Sequence, residues 1–218
     1  MTARPGAPPS AWSSRPWTKV PFASLDFEAT GLDFAKDTII SFGVVPVTDG
    51  RIDVGRSVYQ LVDPMDVAFD PQAVTVHMLR PIDLAGAPSL DAARDALRSA
   101  LDGRFLLVWF AEVESAFLDK LFGGGRRRWM KRIVDVRRLV AALEGGEPRG
   151  PLTLAACAER YAIPVADPHH ALDDAMVTAQ LFLVVATKLA DEGVRSVREL
   201  AAAAPPSPPL LVRPRAPW

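Results

Sequence analysis

The apolar positions of the chain follow strand-like patterns in its first third. Three segments alternate polar and apolar residues or run apolar throughout, and the turn sequence Thr48-Asp49-Gly50 joins the last two. These segments are FASLDF (22–27), TIISFGVVPV (38–47) and RIDVGRSVYQLV (51–62). We therefore expect three hairpin-like strands at the start of the fold.

Strand and helix patterns alternate in the rest of the chain. Short apolar runs predict strands at RFLLVWF (104–110) and RIVDV (132–136). Helical spacing predicts SLDAARDALRSAL (89–101, with Ser89 as N-cap), EVESAFLDKLF (112–122), RRLVAAL (137–143), LTLAACAERYA (152–162) and HALDDAMVTAQLFLVVATKLADEG (170–193). Five strands in this order predict an α/β fold, a mixed five-stranded sheet flanked by helices.

Length and composition suggest one domain with two tails. The 218 residues divide into a Pro/Ser-rich N-terminal segment (1–19), a folded domain (20–203) and a Pro-rich C-terminal tail (204–218). The net charge of −1 rules out a global basic field, although a local basic rim is compatible with it. The single cysteine, Cys157, excludes an internal disulfide, and we expect it to be a small buried apolar residue.

The chain lacks the patterns of a secreted or membrane-spanning protein. The first twenty residues contain no continuous apolar segment of the kind a secretion signal needs. No apolar run approaches the ~18 residues of a membrane span. We therefore expect a cytoplasmic protein with no membrane partner.

Two carboxylates interrupt the first apolar strand. Asp26 and Glu28 are two residues apart, so in a strand they project from the same face. Two neighbouring carboxylates repel each other unless a cation lies between them, and hard oxygen ligands favour Mg²⁺ or Mn²⁺. A strand emerging at a polar sheet edge is the alternative explanation for this fragment.

A second acidic group begins the last long helix, in HHALDDAM (169–176). Asp173 and Asp174 lie in its first turn, where acids also simply favour helix formation. On helical geometry alone His170, four residues before Asp174, shares its face, whereas His169 is rotated away. The predicted apolar stripe of this helix consists of Leu172, Met176, Ala179 and Leu183, with Ala175, Phe182 and Ala186.

Two further features allow more than one interpretation. Glu114 lies on a helix whose core face is Val113, Phe117 and Leu121, and such a glutamate is usually solvated. The run GGGRRRWMKR (123–132) is the local excess of positive charge, either a solvated loop and helix start or a rim that contacts phosphates. Its Trp129 can stack on a base or pack inside, and packing is the commoner outcome, as it is for Phe34 and Phe42.

Three motifs in order, LDFEATGLD, LLVWFAEVESAFL and HHALDDA, resemble those of the DEDDh 3′–5′ exonucleases. That family includes the proofreading epsilon subunit of bacterial DNA polymerase III, and the resemblance covers about residues 20–190. Asp26, Glu28, Thr30 and Gly31 match its D-x-E-x-T-G pattern, and His169 and Asp174 match its H-x-x-x-x-D pattern. The middle motif departs from the family, with Trp109 in place of a histidine and Glu114 in place of an aspartate.

The resemblance implies a ribonuclease H-like fold and a set of functional residues. Asp26, Glu28, Glu114 and Asp174 would hold two divalent cations, Mg²⁺ or Mn²⁺. His169, chosen over His170 on the family spacing, would take a proton from the nucleophilic water. The turn formed by Ala29, Thr30, Gly31 and Leu32 would contact the terminal nucleotide.

The function implied is hydrolysis of a DNA 3′ end to nucleoside 5′-monophosphates, with a polymerase as a possible partner. RNA trimming is the alternative within the family. A different alternative is a weakly active module that binds a polymerase, suggested by the altered middle motif and the Pro-rich tail. The intact Asp26, Glu28, His169 and Asp174 argue against it, because a binding module has no use for a buried, self-repelling acid cluster.

Overall fold

Six strands form one mixed sheet in the computed structural model, which describes residues 4–146 and 150–204. The strands are β1 (Phe22–Ala29), β2 (Ile39–Thr48), β3 (Arg51–Ile52), β4 (Val58–Leu61), β5 (Phe105–Val108) and β6 (Ile133–Asp135). The order is β3-β2-β1-β5-β6, with β4 also paired to β2. Strand β1 is antiparallel to β2 and parallel to β5, which is parallel to β6. The predicted α/β class with a mixed sheet is confirmed.

The prediction of one strand over 51–62 was wrong, because this segment forms two short strands. A 3₁₀ turn at Val54–Arg56 separates β3 from β4. The break lies opposite Pro46 of β2, whose carbonyl accepts a bond from the Asp53 N–H on this edge. Since proline has no N–H to donate back, ladder pairing is interrupted there.

Eight α-helices surround the sheet within the described residues. They are α1 (Pro71–His77), α2 (Leu90–Leu101), α3 (Ala111–Phe122), α4 (Arg126–Met130), α5 (Val136–Leu143), α6 (Leu154–Arg160), α7 (Ala171–Asp191) and α8 (Val197–Ala203). Ser89 caps α2 as predicted, its hydroxyl accepting from the Ala92 N–H. The short helices α1, α4 and α8 were not predicted, since helices of five to seven residues carry little periodicity.

The two faces of the sheet bury separate apolar clusters. Leu25 and Phe27 point to the side covered by α2 and α3. Phe22 points to the side covered by α5 and α7, where its ring lies 5.0 Å from that of Phe182. Asp26 and Glu28 share the alternation of Phe22, so they face α7.

The buried face of α7 differs from the predicted stripe. Ala175, Ala179, Phe182 and Ala186 are buried as expected. Leu172, Met176 and Leu183 are only partly buried, but they pack against the same core cluster. The buried face is wider than the predicted stripe, since it also includes Val177, Leu181, Val185 and Leu189.

The described part of the N-terminal segment packs against the domain. Trp17 is buried with its ring edge-on to Phe182 at 5.5 Å, and its backbone N–H donates to the Arg195 carbonyl. Arg132 donates to the carbonyl of Pro5. The predicted C-terminal tail falls, from residue 205 onward, outside the described residues.

Two smaller features concern the cysteine and the helices. Cys157 is fully buried, as predicted for a small apolar residue. None of the helices in the described part of the chain has the length and apolar character that crossing a membrane requires.

Candidate metal centre

Strand β1 carries two buried acids on one face, as the sequence predicted. Asp26 is 6% exposed and Glu28 is 1% exposed, and they pair across the ladder with Gly43 and Ser41 of β2. A register shift between Glu28 and Ala29 marks the end of regular pairing. The alternative of a polar sheet edge is excluded, since β1 lies between β2 and β5.

Gly43 brings the start of α7 onto the sheet beside Asp26. A Cβ atom at Gly43 would lie 2.2 Å from the Ala171 carbonyl oxygen and 2.4 Å from the Cα of Leu172. Both neighbours are backbone atoms, so no side chain fits between β2 and the first turn of α7. This contact places Asp174, in that first turn, next to the acids of β1.

The carboxylates of Asp26, Glu28 and Asp174 form a tight group. Each offers one oxygen, and these oxygens all lie within 4.8 Å of one another. Asp26 Oδ2 and Glu28 Oε1 are buried without a hydrogen-bond donor among the described residues. Three buried acids at this distance cannot all be ionised unless positive charge is supplied.

The acid–base properties of the group follow from this crowding. Burial, and after it the charge of Asp174, raises the pKa of Asp26 well above its usual value. Burial and the charges of Asp26 and Asp174 do the same to the pKa of Glu28. The pKa of Asp174 rises to about 7, again chiefly through burial.

Glu114 is buried near this group and is not on a solvated face. It is 4% exposed, in the first turn of α3, and its Oε2 has no donor among the described residues. Burial raises its pKa, and the charge of Asp26 raises it further. Its carboxylate is not part of the 4.8 Å group of Asp26, Glu28 and Asp174, so it forms an outer fourth member.

An ion-pair network fixes the start of α3, which carries Glu114. Asp135, at the end of β6, accepts from the N–H of Ala111 at 3.1 Å and from that of Arg138 at 2.9 Å. The Arg138 guanidinium lies 3.4 Å from Asp135 and pairs with Glu112. The first turns of α3 and α5 are therefore tied together behind the acid group.

The two adjacent histidines have different environments. His169 has a left-handed backbone with φ of 66°, and its N–H donates to Asp174 Oδ2 at 3.3 Å. His170 is the N-cap of α7, with Nδ1 3.2 Å from Asp173 and its ring tilted against that of Tyr59, with 4.2 Å between the ring centres. His169 thus contacts Asp174 from the loop before the helix, whereas His170 contacts Asp173 and Tyr59.

Two residues near the site were not singled out from the sequence. His77 is 6% exposed, and burial lowers its pKa while the neighbouring charge of His169 lowers it further. Burial raises the pKa of Tyr59, with Glu28 among the charges that add to the rise. A lone histidine and a lone tyrosine in short segments carry no motif, so only the fold reveals them.

The turn after β1 is built around a buried aspartate. Thr30 Oγ1 donates to Asp37 Oδ1 at 2.9 Å and accepts from the Thr38 N–H at 3.1 Å. A Cβ atom at Gly31 would lie 2.4 Å from Asp37 Oδ2, so glycine is required for this packing. Ala29 and Gly31 are buried and Leu32 is half-buried, which leaves the turn tight against the end of the strand.

The aromatic residues in question pack inside. Trp129 is 2% exposed with its ring 6.0 Å from that of Phe122, so it does not present a face for stacking. Phe42 is fully buried, and the half-buried Phe34 lies edge-on to Phe117 at 5.4 Å. The prediction that these three aromatic side chains pack against the protein core is confirmed.

The donor set fits a hard divalent cation. It consists of carboxylate oxygens, several of them buried and unpartnered, with no thiol in the 4.8 Å group. Mg²⁺ and Mn²⁺ prefer such oxygen ligands. A bound cation would also supply the positive charge that the crowded acids need.

Comparison with known proteins agrees with this geometry. The family model described as Exonuclease (RNase_T) matches residues 24–182. Two curated relatives, the PolC-type DNA polymerase III proteins of Thermotoga petrophila and Thermotoga maritima, are each 28% identical over 190 residues. Those matches cover 82% of this chain and 13% of the relatives, so the chain spans only a small part of their length.

Solved structures share the fold. E. coli Exonuclease I in complex with a dA16 oligonucleotide has a TM-score of 0.69 at 16% identity, covering 79% of this chain and 42% of its own. The nuclease domain of 3'hExo, described as a DEDDh family member bound to rAMP, has a TM-score of 0.62 at 18% identity. The match covers 79% of this chain and 93% of that domain. Exonuclease X in complex with 5' overhanging duplex DNA has a TM-score of 0.63 at 20% identity. The match covers 84% of this chain and 99% of Exonuclease X.

Proposed function

The chain belongs to the RNase_T exonuclease family, and from this we propose that it is a metal-dependent 3′–5′ exonuclease acting on DNA ends. The products would be nucleoside 5′-monophosphates. The observation that carries the proposal is the group of Asp26, Glu28 and Asp174, three buried carboxylates within 4.8 Å. Such a group is unfavourable in the protein alone and favourable around divalent cations.

The four acids would share the binding of two cations, Mg²⁺ or Mn²⁺. Asp26, on β1 in the same group as Glu28 and Asp174, would contact both ions. Glu114, outside the tight group, would serve the second ion. When bound, two such ions stabilise the attacking and leaving oxygens of a phosphodiester hydrolysis.

His169 would be the general base. Burial lowers its pKa, so the imidazole is neutral at neutral pH and can accept a proton from water. Its backbone N–H donates to Asp174, and its backbone is left-handed, so the residue lies next to the acid group. His170, paired with Asp173, would keep the helix start in place.

The turn of Ala29, Thr30, Gly31 and Leu32 would receive the terminal nucleotide. Its tight packing on Asp37 gives a rigid surface at the end of β1, next to the acids. DNA is the proposed polymer because the curated relatives are named as DNA polymerases. RNA is tested as the alternative in the same assay.

The test is hydrolysis of end-labelled single-stranded DNA and RNA with Mg²⁺ or Mn²⁺, comparing wild type with Asp26→Ala. We expect a 5′-labelled DNA to shorten stepwise and a 3′-labelled DNA to release a mononucleotide first. Metal-dependent shortening of RNA alone would reassign the substrate. Absence of any metal-dependent shortening in the wild type, or equal shortening by Asp26→Ala, would overturn the proposal.

A further inference from the structure

The basic run of the sequence forms an exposed surface on and beside α4. Arg126, Arg127, Arg128 and Lys131 are exposed, and Arg4 of the N-terminal segment lies against the same surface at Gly124. We call these five residues the basic strip. Trp129 of the same helix packs in the apolar cluster on the α3 side of the sheet.

One end of the basic strip adjoins the metal centre. The Arg126 guanidinium donates to the carbonyl of Glu112 at 2.9 Å, two residues before Glu114. It also lies 5.7 Å from the ring centre of Phe34, in the loop that follows Thr30. This cation is therefore positioned beside the turn proposed to receive the terminal nucleotide.

The other end of the basic strip opens on a cavity of about 310 Å³. Arg4, Arg128 and Lys131 line it together with Arg132 and Phe105. Phe105 pairs with Phe22 at the opposite end of β1. Asp26 lies four residues further along β1, ~13 Å away at the rise of a strand. The strip thus leads from the acid end of the sheet to the far end.

Arg132 gives this cavity a buried cation. It is 6% exposed, and its Nη2 donates to the carbonyls of Leu101 and Arg104 at 2.9 Å each. Its Nε has no acceptor among the described residues. Burial lowers its pKa to about 10; the charge of Asp102 opposes this shift, and the like charge of Arg128 adds to it. An anion in the cavity would add a counter-charge to the cations that line it.

The charge of the basic strip is not balanced within the described protein. None of its five cations forms an ion pair there. Two nearby carboxylates contact backbone groups: Asp119 accepts from the Gly125 N–H and Asp102 from the Gly6 N–H. The ring of Trp129 is buried and offers no stacking face, so the exposed cations are the groups of α4 that a nucleic acid would meet, and these favour phosphates.

We propose that the basic strip binds the phosphodiester backbone of the single strand whose 3′ end lies in the metal centre. This inference rests on the proposed function and adds the route of the strand, from the Thr30 turn past Arg126 to the cavity at Arg132. Binding along it is independent of base sequence, as expected for contacts to phosphates. An acidic peptide is the competing ligand for the same charges.

The test is equilibrium binding of two oligonucleotides, about four and about twenty nucleotides long, without divalent cations so that no hydrolysis occurs. The variant is the triple substitution Arg127→Gln, Arg128→Gln and Lys131→Gln. We expect the long strand to bind at least tenfold more weakly at low salt. The slope of log affinity against log salt should fall by about 2, since each lost single-strand contact removes about 0.7.

A matched control removes three exposed cations from other surfaces, through Arg51→Gln, Lys188→Gln and Arg198→Gln. It changes the net charge equally and should leave long-strand binding unchanged. The short strand should bind both triple variants as it binds wild type, and all three proteins should have the same Tm. Hydrolysis of the short strand should likewise be unaffected.

Wild-type affinity and salt slope in the strip variant would overturn the inference, and so would an equal loss in the control. Tighter, strip-dependent binding of an acidic peptide of about ten glutamates would also overturn it, in favour of a protein ligand. Failure of the proposed function is a separate result, because it would appear as absent hydrolysis of both strands by the wild type.

Discussion

The protein buries carboxylates in two neighbouring groups, one with hydrogen-bond donors and an ion-pair partner and one without them among the described residues. Asp135 accepts two backbone N–H bonds and lies 3.4 Å from the Arg138 guanidinium, which also pairs with Glu112. Among the described residues, Asp26 and Glu28 form no ion pair, and each has a buried oxygen without a hydrogen-bond donor. Burial raises the pKa of Asp135 only to about 6, because those N–H groups and Arg138 counteract it.

The difference separates structural acids from acids kept for a ligand. A buried carboxylate that has its cation and its donors holds two helix starts together. A buried group that repels itself is retained at a cost in stability, which protonation or a bound cation relieves. On this account the first group belongs to the fold and the second to the proposed chemistry.

The largest effect is expected when one charge is removed from each group, because one change should lower the hydrolysis rate and the other the free energy of unfolding. Asp26→Asn should lower the hydrolysis rate by at least about 10³-fold, since several kcal/mol of charge stabilisation is lost. It should not lower the free energy of unfolding of the metal-free protein, because it removes a repulsive charge. Rates on end-labelled DNA and urea unfolding measure the two quantities.

Asp135→Ala is the matched change in the paired group. It should lower the free energy of unfolding by about 3 kcal/mol, because it breaks a buried ion pair and removes the acceptor of two helix-start N–H groups. If Asp26→Asn destabilises the protein as much as Asp135→Ala does, the distinction between the two groups fails.

The two histidines extend the same contrast. His169→Ala should slow hydrolysis by about 10²-fold or more, the usual contribution of a general base. His170→Ala, which removes a contact with Asp173 and Tyr59, should change the rate by no more than a few-fold. Rates across pH 6 to about 9 distinguish a lost base from a misplaced helix. The reverse order of effects would assign the base to His170.

The sequence predicted much of this site, for reasons visible in single residues. The two-residue period of a strand was enough to place Asp26 and Glu28 on one face. Glu114 could not be found this way, because a glutamate among apolar residues on a helix is normally solvated, and the family resemblance singled it out. Gly43, His77 and Tyr59 contribute through contacts between distant segments, which no local pattern encodes.

Gly43→Ala tests the packing that brings the unpaired acids together. The new Cβ would collide with the backbone of Ala171, so α7 must move and Asp174 with it. We expect a loss of about 1–3 kcal/mol in stability and of roughly tenfold in rate. Gly55→Ala, where the nearest atom is 3.8 Å from the new Cβ, is the control and should change neither the stability nor the rate.

Glu114 is expected to give the smallest effect when its charge is kept. Glu114→Asp restores the residue usual in the family and should stay within a few-fold of the wild-type rate, or exceed it. Glu114→Ala should lose at least about tenfold, since the second cation loses a ligand. Glu112→Gln, in the paired network, should lower stability and leave the rate nearly unchanged. A Glu114→Ala enzyme with the wild-type rate would show that Glu114 has no part in the site.

The most direct test of the account is the stability of the protein against pH, with and without Mn²⁺. The folded state raises the pKa values of Asp26, Glu28, Glu114 and Asp174, so it binds more protons than the unfolded chain above about pH 4. The metal-free free energy of unfolding should therefore fall as the pH rises from about 5 to 8, through the Asp174 pKa of about 7. Mn²⁺ should remove most of that fall in the wild type and little of it in Asp26→Asn. A pH profile that Mn²⁺ leaves unchanged would contradict the claim that these carboxylates are kept for metal ions.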